Sequence, residues 1–248
     1  MTLWVFGDSY VEDNNVDYQW FKQLGKLLKQ PVNAIGQPGL SNDFISNQVY
    51  LRALTGDIKR DDFVIQIQTQ YSRTWFFEDR PHLSNFVHHT DATQIGMTPQ
   101  EKQATTEWIK HLYNDKQLIW QTYANSHASV SILDHYCGCR SLVLPAFWNQ
   151  VEAFNPYIGV SGSLTESISY LEFESQQEYA STLAQPGGDP RINHLNEHNH
   201  GVLAQKIYTA ITQSGHLDLM TGFRTRQPQQ SDFASAQEFR NWQLENID

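Results

Sequence analysis

The first seventy positions alternate between short continuous apolar runs and apolar residues at helical spacing. Residues 2–6 (T-L-W-V-F) are an unbroken run ending at Gly7, the pattern of a buried strand. Trp20, Phe21, Leu24, Leu27 and Leu28 fall on one helical face, and Pro31 stops that helix. Residues 31–35 read as a second strand, Gly36-Gln37-Pro38-Gly39 as a turn, and 42–54 as a second amphipathic helix closed by Gly56-Asp57. Residues 61–68 (D-D-F-V-I-Q-I-Q) read as a third strand. Its polar alternation predicts one face that is lined rather than packed.

Beyond Thr69 the periodicity weakens. Residues 71–97 hold aromatics and histidines with little pattern, and loops this long are usually functional or locally folded. Thr98-Pro99-Gln100-Glu101 starts a helix with proline at its first position, running towards His111. A longer helix is predicted from Asn114-Asp115 to about His135, and residues 141–147 (S-L-V-L-P-A-F) form a fourth strand. Residues 150–187 are irregular. Residues 200–212 carry Val202, Leu203, Ile207 and Ile211 on one side of a helix. From Gly215 the chain is polar, with Phe233, Phe239 and Trp242 spaced along a last helix.

This alternation predicts an α/β fold, a three-layer αβα sandwich around a mainly parallel sheet. The domain spans residues 1–214 with a helical insertion over 71–135, and residues 215–248 form a C-terminal extension. In such sheets sites lie at the carboxyl ends of the strands, where the polar signals of this chain gather.

Charge narrows the partners. The formal net charge is −10, and the 17 Lys and Arg residues form no block. A nucleic-acid binder needs a basic surface, so nucleic acid is excluded as a partner, and anionic membranes by the same argument. No apolar run reaches the ~18 residues of a membrane span. The N-terminus enters a strand at once, without the charged and apolar regions of a signal peptide. The expectation is cytoplasmic synthesis, with association in a virion left open. Cys137 and Cys139 are separated by one residue, too close for an unstrained disulfide and two ligands short of a zinc site. They read as free thiols.

Two segments carry chemistry. Gly7-Asp8-Ser9 directly follows the first strand, where a serine hydroxyl is exposed at the sheet edge and the N-terminus of a following helix would favour an oxyanion. The bland reading is that Asp8 or Ser9 only caps the next segment. Gly188-Asp189-Pro190-Arg191-Ile192-Asn193-His194 precedes the last core helix. A serine nucleophile needs a base within hydrogen-bond reach and the base needs an orienting carboxylate; His194 and Asp189 supply both from one loop. Alone, His194 would read as a helix cap. His194 and His198 also have the i, i+4 spacing of a zinc pair, but the ligand set is incomplete and no metal is assigned.

Together, G-D-S after the first strand and D…H before the last helix resemble the SGNH (GDSL-like) hydrolases, over roughly residues 1–70 and 140–212. The resemblance implies a flavodoxin-like sandwich and a serine esterase that needs no cofactor. Ser9 would be the nucleophile, His194 the base and Asp189 its orienting acid. Asn33-Ala34-Ile35-Gly36-Gln37-Pro38-Gly39-Leu40-Ser41-Asn42 is similar to the family's glycine block, which puts the Gly39 N–H beside the Ser9 N–H in the oxyanion hole. The family's next block supplies an Asn amide. Here the strand ends Gln68-Thr69-Gln70-Tyr71-Ser72-Arg73, so Gln70 takes the Asn place on a longer arm, with Thr69 or Arg73 as stand-ins. Asp189 also lies five residues before His194 where three is usual, which leaves Asn193 or a backbone carbonyl as other orienting groups.

Asp8, Asn42, Arg73 and Trp75, in or beside these blocks, are the candidate substrate contacts. The implied substrates are small acyl esters, O-acetyl groups on carbohydrate among them. Trp75, Phe76, Phe77 and Phe86 read either as a lid over the site or as a satellite core. The rival to an esterase is a binding or structural module on the same fold, its aromatic C-terminal extension contacting a second copy or another assembly component.

Overall fold

The computed structural model describes residues 1–13, 15–75, 85–86, 98–147, 155–164, 195 and 197–223. Four parallel strands form the central sheet in the order β2-β1-β3-β6: β1 (Leu3–Gly7), β2 (Val32–Gly36), β3 (Phe63–Gln68) and β6 (Arg140–Pro145). Two short strands, β4 (Arg73–Thr74) and β5 (Asn85–Phe86), pair antiparallel beside it. Parallel pairing is in register across the sheet, with Phe6 opposite both Ile35 and Gln66, and Gly7 opposite Gly36. The chain leaves β1 for β2 on one side and returns to β3 on the other, so the crevice beyond the ends of β1 and β3 is the switch point of the sheet.

Alternate residues of each strand face opposite ways, and both sets are covered. Leu3, Val5, Phe63, Ile65, Ile67, Leu142 and Leu144 pack with helix α1 (Trp20–Leu28), through Trp20, Phe21 and Leu24. The same cluster takes in Leu203, Ala204 and Ile207 of helix α5 (Glu197–Thr209). On the opposite face Trp4, Phe6 and Val64 pack with Ile45 and Val49 of helix α2 (Asn42–Leu54), and with Leu133 in the π turn Ile132–Cys137. Helix α3 (Pro99–His111) starts at a reciprocal capping box between Thr98 and Glu101. Helix α4 (Asp115–Ser131) lies against α2, joined by Asp43 to Gln121 and Asn125 and by the Tyr50 hydroxyl to the Asn125 carbonyl.

The polar alternation of β3 has a different meaning from the predicted one. Gln66 and Gln68 line no open surface; both are buried under α2 and α4, where their amides donate to Ser46 and Ser126. The core also runs past residue 214. Strand β8 (His216–Asp218) pairs with β7 (Gly159–Ser161), and Leu217 and Leu219 join the main cluster. Among the described residues no helix is long and apolar enough to cross a membrane.

Candidate active site

Each of the first three parallel strands ends in a tight turn at the same edge of the sheet. After β1 the Val11 N–H donates to the Asp8 carbonyl at 3.0 Å, closing a four-residue turn with half-buried Ser9 as its second residue. Gly7 and Gly36 make this turn fit. A Cβ on Gly7 would lie 2.6 Å from a Val11 methyl and 2.8 Å from Ile67 Cβ, and one on Gly36 would meet Val11 Cβ at 2.7 Å. Tyr10 anchors the far side: its carbonyl accepts from the Trp20 indole at 2.8 Å and its ring meets Phe147 edge-on.

After β2 the turn runs Gln37-Pro38-Gly39-Leu40, and Gly39 has φ 79°. Proline second and a positive-φ glycine third is the pattern of a type II turn. The chain passes directly into α2, whose first turn is capped by Ser41 accepting from the Phe44 N–H. After β3, the Arg73 N–H donates to the Gln70 carbonyl at 3.2 Å and closes the third turn. The predicted donor helix after Ser9 is therefore displaced. Helix α1 begins only at Trp20, Ser9 sits on a turn, and the helix N-terminus at this edge is that of α2.

Beneath the turns lies a buried polar network. Asp8 is fully buried, and its carboxylate accepts from the Tyr10 N–H at 3.2 Å, the Thr69 hydroxyl at 2.9 Å and Arg73 Nη1 at 2.5 Å. Arg73 Nη1 also reaches the Leu40 carbonyl at 3.4 Å, and its guanidinium lies 5.3 Å from the centre of the Phe147 ring. Asn42 clamps Thr69: its amide donates to the Thr69 carbonyl and its oxygen accepts from the Thr69 N–H, both at 2.8 Å. The same Asn42 amide touches the Thr122 hydroxyl at 3.4 Å.

Of the substrate contacts read from the sequence, Asp8, Asn42 and Arg73 are 0 %, 3 % and 6 % exposed and bond to one another's loops. Trp75 is half-buried and stands edge-on to Phe44, with ring centres 5.0 Å apart. Ser9, Gly39 and Gln70 do share one edge. Gln70 Oε1 is buried and has no hydrogen-bond partner among the described residues. His194 and Asp189 lie outside the described residues, as do Phe76, Phe77 and residues 224–248. Comparison with family models, with curated proteins and with solved structures finds no match.

Other candidates for chemistry are taken up structurally. His200 Nδ1 accepts from the Trp20 N–H at 3.1 Å, which caps α1 and fixes that nitrogen as the unprotonated one. Among the described residues no group of three or more His, Cys, Asp or Glu side chains could hold a metal ion. Cys137 and Cys139 are free thiols; burial pushes Cys137 up and Cys139 up to about 12, so neither is a thiolate nucleophile at neutral pH. The roles of Thr69, bonded to Asp8, and of Phe147, beside Arg73, are the least visible in sequence. Their signal is modest: one polar and one aromatic residue immediately after a strand.

Proposed function

We propose that the protein is a serine esterase of the SGNH type, built as a three-layer sandwich, that hydrolyses small acyl esters. The observation that carries this reading is Ser9 on a tight turn at the switch point of the parallel sheet, braced on every side. In open α/β sheets this crevice is where ligands bind. The Gly39 turn beside it, with its positive φ, carries the segment whose sequence resembles the family's glycine block.

In this reading Ser9 Oγ attacks the ester carbonyl carbon as its proton passes to His194. The C–O bond to the alcohol breaks, and the alcohol leaves with the proton from His194. Water, deprotonated by His194, then attacks the acyl-enzyme and releases the carboxylic acid and Ser9. Asp189 holds the imidazole. The Ser9 and Gly39 N–H groups with the Gln70 carboxamide face the oxyanion, and loss of one such donor typically costs about 3 kcal/mol. No cofactor enters the reaction. O-acetyl groups on carbohydrate are the natural esters to try first.

One observation favours the rival reading of a binding module. Gln70 Oε1 is buried and has no hydrogen-bond partner among the described residues, and an amide oxygen cannot donate to an oxyanion. The deciding experiment is hydrolysis of p-nitrophenyl acetate and butyrate by the wild type, Ser9→Ala and His194→Ala, with fluorophosphonate labelling. Turnover and labelling that vanish in Ser9→Ala support the esterase. Three equally inert proteins, all folded and with Ser9 unlabelled, leave the binding module.

A further inference from the structure

The turns after β1, β2 and β3 come from separate parts of the chain, yet one residue bonds in all three, by its side chain to the first two and by its backbone within the third. Arg73 bonds to Asp8 of the first, to the Leu40 carbonyl of the second and, through its own N–H, to Gln70 of the third. We propose that Arg73 is a positioning residue that sets the Ser9 turn against the Gly39 and Gln70 turns, acting through Asp8 and without touching substrate.

Three features fit that task. Both side-chain bonds leave one guanidinium nitrogen, Nη1, whose two N–H groups are fixed in the guanidinium plane, whereas those of a lysine ammonium rotate freely. The Phe147 ring beside it restricts its plane. The pair is almost wholly buried, with side-chain exposures of 5 % and 0 %. A buried ion pair often adds little stability over an apolar replacement, so its presence here points to geometry. Asp8 carries the effect onward: it accepts from the Tyr10 N–H and offers its own carbonyl to Val11, which together define the turn that presents Ser9.

The consequence for turnover rests on the esterase reading; the consequence for the turns does not. The test pairs hydrogen exchange of the full chain with ester kinetics for the wild type, Arg73→Met, Arg73→Lys and the double variant Asp8→Asn/Arg73→Met. In Arg73→Met, exchange should rise together in segments 8–11, 37–40 and 69–73, while β3 and β6 stay protected. Lysine should restore the first segment more fully than the second. The kcat of Arg73→Met should fall about 10²-fold, the scale of an ångström-sized misplacement, with KM little changed.

If Arg73→Met does not fold, the double variant, which strands no buried charge, makes the same comparison. Faster exchange confined to 69–73 overturns the proposal, and so does a raised KM at unchanged kcat, since that would make Arg73 a substrate contact. A wild type that hydrolyses no ester removes the esterase reading and leaves the exchange result to decide Arg73.

Discussion

At the scale of single residues, the site depends on positions where few side chains fit. Gly39 sits at φ 79°, a region that costs an L-residue about 1–2 kcal/mol. Gly39→Ala should lower stability by about that much in urea unfolding. On the esterase reading, ester turnover should fall further than stability explains, because the peptide that carries the Gly39 N–H must tilt. Asn42→Ala removes both partners of the Thr69 backbone, and Thr69 is fully buried. Two orphaned groups predict a loss of about 3 kcal/mol. Asn42→Asp keeps the acceptor but sets a charge in the interior, so its deficit should shrink as acid protonates it; an unfolding series from pH 7 to pH 4 reads this. Ser9 and Gly39 were legible because glycine and a strand-end serine leave local marks. The Asp8–Arg73 pair was not, since its members stand 65 positions apart and each reads separately, as a substrate contact.

At the scale of elements, local signals were faithful where periodicity and caps agreed. The helices over 20–28 and 42–54 have the predicted bounds, and Thr98-Pro99 starts α3 with the capping box its residues suggest. Predictions drifted where tertiary contacts decide. The glutamines of β3 resemble an exposed face, yet they are buried because α4 folds over them and supplies Ser126. The pair β7 and β8 joins segments more than fifty residues apart, which no local pattern reveals. The contact between α2 and α4 gives a pH test. Burial raises the Asp43 carboxyl above its ordinary value of 3.8, although Gln121 and Asn125 bond to it. The folded state therefore binds that proton more tightly than the unfolded chain. The penalty is absent well below 3.8, grows as pH rises from there to the folded value, and stays constant above it. Asp43→Asn accepts the same two bonds without the charge. Its urea midpoint relative to wild type should rise between pH 3 and pH 7. A variant less stable than wild type at pH 7 would mean that the favourable position of Asp43 in the first turn of α2 outweighs its burial.

At the scale of the whole molecule, the sheet must end somewhere, and an exposed edge invites pairing with another chain. On the β6 side, among the described residues, one side chain bonds to the outward groups of the edge. Asn155 Oδ1 accepts from the Val143 N–H at 2.6 Å and its amide donates to the Val143 carbonyl at 2.8 Å. It stands in for the residue of a further strand, while Val143 pairs with Gln66 on its other side. The same segment then leads into β7 and, through β8, to the end of α5, so the Asn155 contact and the C-terminal part of the core are one construction. Asn155→Ala should cost about 2 kcal/mol in urea unfolding, for two hydrogen bonds lost at a half-buried position where water can partly replace them. It should also raise concentration-dependent light scattering, because the outward groups of Val143 are then open to a neighbouring chain. Asn155→Asp separates the two effects. Its carboxylate still accepts from the Val143 N–H, but its second oxygen faces the Val143 carbonyl, so at pH 7 it should be the less stable of the two variants. The charge at the edge should nevertheless suppress association. A protein that loses stability without gaining scattering in Asn155→Ala would show that the carboxamide bonds matter for cohesion alone and that other residues guard the edge.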